Sequence, residues 1–176
     1  VYQAISRAHQ ALAECVRDQS DSTGEVTVTG SNSQWTNTDV LSVGYSGDGT
    51  LTVEAGGVVA SPDGRIGYSS GSTSEATVTG AGSQWSNTGW LTVASSGSGT
   101  LNVTDGGVVS NIDGYIGYHS GSTGEVTVTG ADSQQNTSSS LHFGGMLHIG
   151  GNGMGTGGSG TLNLDNKGLG TVVDTI

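Results

Sequence analysis

The chain has 176 residues, of which 33 are glycine and one is proline, and its 15 acidic residues outnumber four lysines and arginines, giving a formal net charge of −11. Because it has neither a basic patch nor a basic helix, nucleic acid and anionic membrane surfaces are excluded as partners, and no apolar run is long enough to insert into a bilayer. Cys15 is the single cysteine, which excludes an internal disulfide framework.

Residues 1–19 differ from the rest of the chain. Their apolar residues recur at steps of three and four, as on one face of an amphipathic helix: Ala4, Ile5, Ala8, Ala11, Leu12, Cys15 and Val16. We therefore expect an N-terminal helix that caps the open edge of a second unit, residues 20–176. The alternatives are a helix that docks a partner and a segment that comes from an expression vector.

A fifty-residue repeat fills most of the second unit. Residues 21–70 and 71–120 are identical at 30 of 50 aligned positions, and residues 121–176 begin the same pattern a third time. TVTG at 27–30, SQW at 33–35 and GGVV at 56–59 all return fifty residues later. A repeat of this length predicts a stack of identical supersecondary units.

Each repeat divides into two halves of about 25 residues. A shift of that length superposes apolar residues, as in the column Val28, Val53, Val78, Val103 and Val128. Thr, Ser, Asn and Gly alternate with these apolar residues, which is the two-residue period of a β-strand. The sequence therefore predicts an all-β fold: a right-handed parallel β-helix (β-solenoid) of about six coils of roughly 25 residues.

The same shift predicts how the interior is filled. Its other columns are Leu41–Ile66–Leu91–Ile116–Leu141, Val43–Tyr68–Val93–Tyr118–Phe143 and Trp35–Ala60–Trp85–Ser110. Coils that contain Trp would contain Val in place of Tyr, so that the volume of each coil stays nearly constant, as close packing requires. Trp35 and Trp85 are then buried; the alternative is that both are exposed on a loop.

The C-terminal repeat is irregular. LHIG at 147–150 resembles the LSVG segment of the first repeat, and GTLNL at 160–164 resembles GTLTV at 49–53. About ten extra residues, rich in glycine, therefore fall within 141–159. We expect either an insertion loop or a slipped coil there.

Residues that could support catalysis are few. Asp63 and Asp113 stand beside Asp-Gly turns fifty residues apart, and Arg65 is the one arginine of the solenoid body. The preference of aspartate for turns explains why Asp63 and Asp113 occupy these positions. His142 and His148 could meet near the insertion, and we expect them to be surface residues rather than metal ligands. We predict no enzyme activity, no catalytic residues, no cofactor and no metal site, apart from weak incidental calcium binding at the GDG of 47–49.

The repeats resemble those of a known family of secreted proteins. Units of the form GSTGEVTVTGxxSQWxNTxxLxV, SGxGTLxVxxGGVVS and GxIGY are similar to the repeats of bacterial autotransporter (type V secretion) passenger domains, well over residues 20–130 and loosely over 131–176. The resemblance implies export, exposure on the bacterial cell surface and a role in adhesion or virulence. The chain shows no signal sequence and no membrane barrel, so we expect it to be a fragment of such a protein.

Two functions from different classes follow. The first is a rigid scaffold or adhesive surface that binds a host-surface protein or a glycan, or associates with itself through the solenoid ends. The second is an ice-binding solenoid with an outward Thr-x-Thr array, for which the candidate contact residues are Thr27, Thr29, Thr77, Thr79, Thr127 and Thr129. Glu54 would interrupt this array. A polysaccharide-binding or -cleaving β-helix is a further alternative.

Overall fold

The computed structural model describes residues 2–4, 9–10, 15–16, 22–130, 140–143, 146–151, 157–164 and 169–172. Its strands are β1 (Tyr2–Ala4), β2 (His9–Gln10), β3 (Cys15–Val16), β4 (Thr23–Thr29), β5 (Gln34–Thr36), β6 (Leu41–Val43), β7 (Asp48–Glu54), β8 (Val58–Ser61), β9 (Gly64–Ile66), β10 (Thr73–Thr79), β11 (Gln84–Asn87), β12 (Trp90–Val93), β13 (Ser98–Thr104), β14 (Val108–Asn111), β15 (Asp113–Ile116), β16 (Thr123–Val128), β17 (Ser140–Phe143), β18 (Leu147–Ile149), β19 (Ser159–Leu164) and β20 (Leu169–Val172).

These strands form three parallel sheets in a β-solenoid, which confirms the predicted fold. Every third strand belongs to the same sheet: the first sheet contains β1, β4, β7, β10, β13, β16 and β19, the second begins at β2 and the third at β3. Residues 22–130 hold four complete coils, and strands before and after them continue the sheets, so the count differs slightly from the expected six. The right-handed sense stays a prediction.

The helix expected over residues 1–19 is wrong where the structure describes this segment. β1, β2 and β3 are strands that pair in parallel with β4, β5 and β6, for example Tyr2 with Glu25 and Cys15 with Ser42. Their ladder hydrogen bonds pair the backbone N–H and C=O groups at the edges of β4, β5 and β6. This pairing outweighs the helical preference that the spacing of apolar residues in 1–19 indicated. None of the described residues forms a helix long and apolar enough to cross a membrane.

The first sheet follows the register that the uniform shift predicts. Val28, Val53, Val78, Val103 and Val128 pair successively, and each is 0% exposed. The neighbouring column of Val26, Leu51, Ala76, Leu101 and Val126 is also in the expected register. The apolar core therefore runs along this sheet from β4 to β16.

The second sheet corrects the predicted neighbours of the tryptophans. Trp35 and Trp85 are buried, as expected, at 2% and 0% exposure. They pair, however, with Val59 and Val109 rather than with Ala60 and Ser110. The cause is loop length, because the segment from Val53 to Val59 is one residue shorter than the corresponding segment from Val28 to Trp35.

The third sheet departs further from the uniform shift. Ile66 pairs with both Val43 and Val93, so the step along the chain from Val43 to Ile66 is shorter than the step from Ile66 to Val93. The turn into this sheet is again one residue shorter in every second coil, and Leu41 pairs with Gly64 instead of Ile66. Tyr68 and Tyr118 therefore lie outside the core, half-buried, and the predicted Val–Tyr column is wrong.

Glycine, and not alanine or serine, makes room for the large side chains. A Cβ atom at Gly64 would lie 2.8 Å from Leu91 Cδ1 and 2.9 Å from Trp85 Cζ2 of the adjoining coil. The Trp85 indole is held there by a hydrogen bond from Nε1 to Ser61 Oγ of 3.4 Å. The tryptophan-containing coil thus has Trp85 and Leu91 where the adjoining coil has Val59 and Gly64, so bulk alternates between coils and the predicted constant volume per coil is wrong.

The C-terminal irregularity is divided between two places. Leu141 pairs with Val109 in the second sheet, and the chain between these partners is longer than the chain between Val59 and Trp85, so some of the extra residues precede β17. The number of residues between Val126 and its partner Leu162 in β19 exceeds that of a regular coil by more than the extra residues before β17 account for. The other extra residues therefore follow β18. The extra residues are therefore not confined to 141–159, and the first three residues of LHIG form β18.

Candidate functional site

A groove of about 270 Å³ lies on the outer face of the third sheet. It follows from the ladder Ser42, Arg65, Thr92, Tyr115 and His148, which pair in register across β6, β9, β12, β15 and β18. Thr92 is small and stands between two large neighbours, which leaves a gap one coil wide. We call this gap the aromatic groove.

The floor of the aromatic groove belongs to one coil. Thr92 and Ser95 line it and are 5% and 6% exposed. The walls come mainly from the coils on either side, whose backbones are roughly 9.6 Å apart, because each coil adds about 4.8 Å. Trp90, which also lines the groove, belongs to the same strand as Thr92. The groove is therefore narrow and follows the direction of β12.

The first wall is a cation stacked on aromatic rings. The Arg65 guanidinium carbon lies 4.5 Å from the centre of the Tyr68 ring and 4.8 Å from that of the Trp90 indole. Tyr45 of the preceding coil stacks on Tyr68 with ring centres 4.7 Å apart. Such cation–π and ring contacts fix the guanidinium in one orientation and leave its N–H edges directed away from the rings.

The second wall is a group of four rings. Tyr115 stacks on His148 of the next coil at 5.2 Å and an interplanar angle of 3°, and it meets Tyr118 edge to face at 5.0 Å. His119, which is exposed, in turn meets Tyr118 edge to face at 4.5 Å. Each wall is therefore supported by a second ring, which preorganises the groove.

Burial raises the pKa of the Tyr115 phenol, and the negative charge of Asp113 and then Tyr118 raise it further. All three effects disfavour the phenolate. The Tyr115 hydroxyl consequently stays protonated at neutral pH and can donate a hydrogen bond at the rim of the groove.

The two aspartates singled out in the sequence lie beside this groove. Trp90 stands in register with Asp113, and the neighbouring pair Leu91–Gly64 places Asp63 on its other side. Asp63 Oδ1 accepts a hydrogen bond from the Trp90 backbone N–H at 2.8 Å, and Asp113 Oδ1 accepts one from the Met146 N–H at 2.9 Å. Each carboxylate thus connects its turn to the next coil, which agrees with the predicted turn function.

The six candidate threonines lie elsewhere, along the outer face of the first sheet and immediately after it. Thr27 and Thr77 both pair with Thr52, and Thr79 pairs with Thr104, whose hydroxyl donates to Thr79 Oγ1 at 2.9 Å. Thr29 pairs with Glu54, Thr127 pairs with Asn102 and Asn163, and Thr129 follows the end of β16. They share one side of the solenoid but are not brought together with the aromatic groove.

Two polar contacts interrupt the threonine face. Asn102 Nδ2 donates to Glu75 Oε1 at 2.7 Å, and Asn163 Nδ2 donates to Glu125 Oε1 at 2.9 Å. His142 and His148 lie on strands of different sheets. Within the ranges that the structure describes, no group of three His, Cys, Asp or Glu residues could hold a metal ion.

The sequence analysis missed the aromatic groove because it placed Tyr68 and Tyr118 in the core. A signal was present: the five third-sheet strands from β6 onward carry Val or Ile followed by Gly or Ala, at 43–44, 66–67, 93–94, 116–117 and 149–150. Aligning the coils on this pair gives the alternating short and long steps of the third sheet and places Thr92, instead of Trp90, between Arg65 and Tyr115. None of the protein families, curated proteins and solved structures with which the chain was compared matches it.

Proposed function

We propose that this chain is a non-catalytic scaffold of an exported bacterial surface protein, autotransporter passenger-like, which presents an adhesive surface outside the cell. The observation that carries the proposal is the aromatic groove: a preorganised concavity with two ring-lined walls on an otherwise regular solenoid. Concave sites with aromatic linings and a few convergent polar groups are the usual form of ligand sites. The repeat motifs support the surface location by resemblance.

The surroundings of the groove favour binding over catalysis. Its two nearest aspartates, Asp63 and Asp113, each use a carboxylate oxygen to accept a backbone N–H. A hydrolase of polysaccharides needs a paired acid and base across the substrate, with carboxyl groups placed for that purpose. The sequence analysis gave the threonine face as the candidate contact surface; the aromatic groove offers a better-formed surface, and we place the ligand there.

Binding to an array of immobilised polysaccharides and extracellular-matrix proteins tests the proposal. We expect the purified chain to be retained by at least one class of probe, the variant Tyr115→Ala to lose that retention, and the matched threonine-face variant Thr77→Ala to keep it. No reducing ends should be released. Absence of retention on every probe, retention lost only in Thr77→Ala, or polysaccharide cleavage that depends on Asp63 or Asp113 would each contradict the proposal.

A further inference from the structure

The chemistry of Arg65 indicates what the aromatic groove binds. Arg65 is the single lysine or arginine among the described residues, in a chain with 15 acidic side chains. In the described part of the chain its guanidinium makes cation–π contacts with Tyr68 and Trp90 and no ion pair. Stacking occupies the faces of a guanidinium, whereas its N–H donors lie in the plane and remain available to an acceptor.

A carboxylate is the acceptor that matches this arrangement. Its two oxygens fit the fork of a guanidinium in a bidentate pair. The net charge of −11 also matters, because a doubly charged phosphate would be repelled by the surrounding carboxylates more than a singly charged group. A ligand with one negative charge per unit therefore suits the groove best.

The rest of the groove is suited to a ring with apolar faces and polar edges. The electron-rich faces of Trp90 and Tyr115 attract C–H groups, and the groove is only one coil wide. The hydroxyls of Ser95 and Tyr115 lie at its floor and wall, where they can bond hydroxyl groups at the edge of such a ring. A pyranose combines these two kinds of surface.

From this juxtaposition of Arg65 with ring-lined walls, and resting on the proposed function above, we infer that the aromatic groove binds an acidic saccharide unit. Its ring-attached carboxylate pairs with the Arg65 guanidinium, and its C–H face packs on the aromatic wall. Hexuronic acids and sialic acids share this chemistry. The experiment below uses one probe of each class and so distinguishes a hexuronic acid from a sialic acid.

The test compares each acidic saccharide with its uncharged counterpart. An oligogalacturonide is titrated against the purified chain beside its methyl ester, and sialyllactose beside lactose, with dissociation constants from calorimetry. Fluorescence locates the ligand, because Trp90 is half-buried in the groove whereas Trp35 and Trp85 are 2% and 0% exposed. We expect one acid to bind about tenfold to a hundredfold more tightly than its neutral form, the range of a charge-assisted pair.

Variants of Arg65 separate charge from shape. Arg65→Gln should reduce the ratio of acid to neutral affinity to about one, and Arg65→Lys, which keeps the charge and loses the planar fork, should leave an intermediate ratio. Because the ratio is internal to each variant, a general weakening of the groove does not mimic the effect. If Arg65→Gln binds neither form, the ratio of acid to neutral affinity in Arg65→Lys tests the inference: an intermediate ratio supports it, and a ratio equal to that of the wild type contradicts it.

Three outcomes would overturn the inference. If the ester or lactose binds as tightly as the acid in the wild-type chain, the carboxylate is not recognised, although binding by the groove stands. If a polyglutamate peptide binds more tightly than every saccharide and depends on Arg65, the ligand is an acidic protein. If no probe perturbs Trp90 and the array is also negative, the inference and the proposed function fail together.

Discussion

The pairing of Gly64 with Trp85 allows the interior packing to be tested by a double-mutant cycle. Trp85→Ala should lower the free energy of unfolding by about 3–5 kcal/mol, because the indole is fully buried between Val59 and Val109. Gly64→Ala alone should cost about 1–3 kcal/mol, because its new methyl group would stand 2.9 Å from Trp85 Cζ2 and 2.8 Å from Leu91 Cδ1.

The informative quantity is the coupling between the two substitutions. Once Trp85 is alanine, Leu91 can move into the vacated volume and the methyl group at position 64 fills part of the cavity. Gly64→Ala should then cost close to nothing, which gives a coupling free energy of about 1–3 kcal/mol. Guanidinium denaturation followed by far-ultraviolet circular dichroism, with linear extrapolation to water, measures all four corners of the cycle.

The variant Trp90→Ala supplies the matched control for this cycle. Trp90 is the same residue type but lies half-buried on the outer face, where it meets Arg65 rather than Gly64. Gly64→Ala should therefore cost as much in this background as in the wild-type chain. Strict additivity of Gly64→Ala with Trp85→Ala, or a cost of Trp85→Ala below about 1 kcal/mol, would refute the packing account.

Three further results are expected. In thermal or chemical denaturation, Gly67→Ala should destabilise the protein by more than about 3 kcal/mol and Gly71→Ala by about 1 kcal/mol. Both glycines have a left-handed backbone (φ +69° and +91°), but only at Gly67 would a Cβ atom clash with a backbone oxygen. Equal costs would contradict this account. The pKa of Tyr115 is raised on folding, so the stabilisation that its phenol provides is complete below the unfolded pKa of about 10 and is lost as pH rises through the folded pKa. When the free energy of unfolding is measured against pH, Tyr115→Phe should therefore lose less stability over this pH range than the wild type. Parallel curves for the two proteins would contradict the prediction. Thermal hysteresis should be absent from the pure protein because Glu54 interrupts the threonine array, and a measurable hysteresis gap would instead favour ice binding.

The strand pattern was predictable because each outward or inward position repeats along the chain. The first sheet agrees with a uniform shift at every pair from Val28 to Val128, since the errors from unequal turns cancel over a full coil. Sequence alone also identified both tryptophans as buried. These features depend only on local alternation and on the repeat length, which the amino-acid sequence displays directly.

The third sheet was mispredicted because turn length is a property of two neighbouring coils. Two turns of the same coil, each shortened by one residue, move the register of the third sheet by two positions, so that Ile66 instead of Tyr68 pairs with Val43 and Tyr68 lies past the end of β9. The site was lost with it, because Tyr68 had been assigned to the core and the small Thr92 had not been placed between Arg65 and Tyr115. The N-terminal helix failed differently: local periodicity could not reveal that the sheet edges were available for pairing.

The alternation of tryptophan with valine in the second sheet has a consequence for how such a chain can grow. Trp35, Val59, Trp85 and Val109 succeed one another, so within these four coils each coil with tryptophan borders a coil with valine at this position. Removal of a single coil by recombination would bring two indoles into adjoining layers, whereas removal of two coils would restore the original order. Gene duplications and deletions that preserve folding should therefore proceed in steps of one whole fifty-residue repeat, the length over which the first two copies are identical at 30 positions.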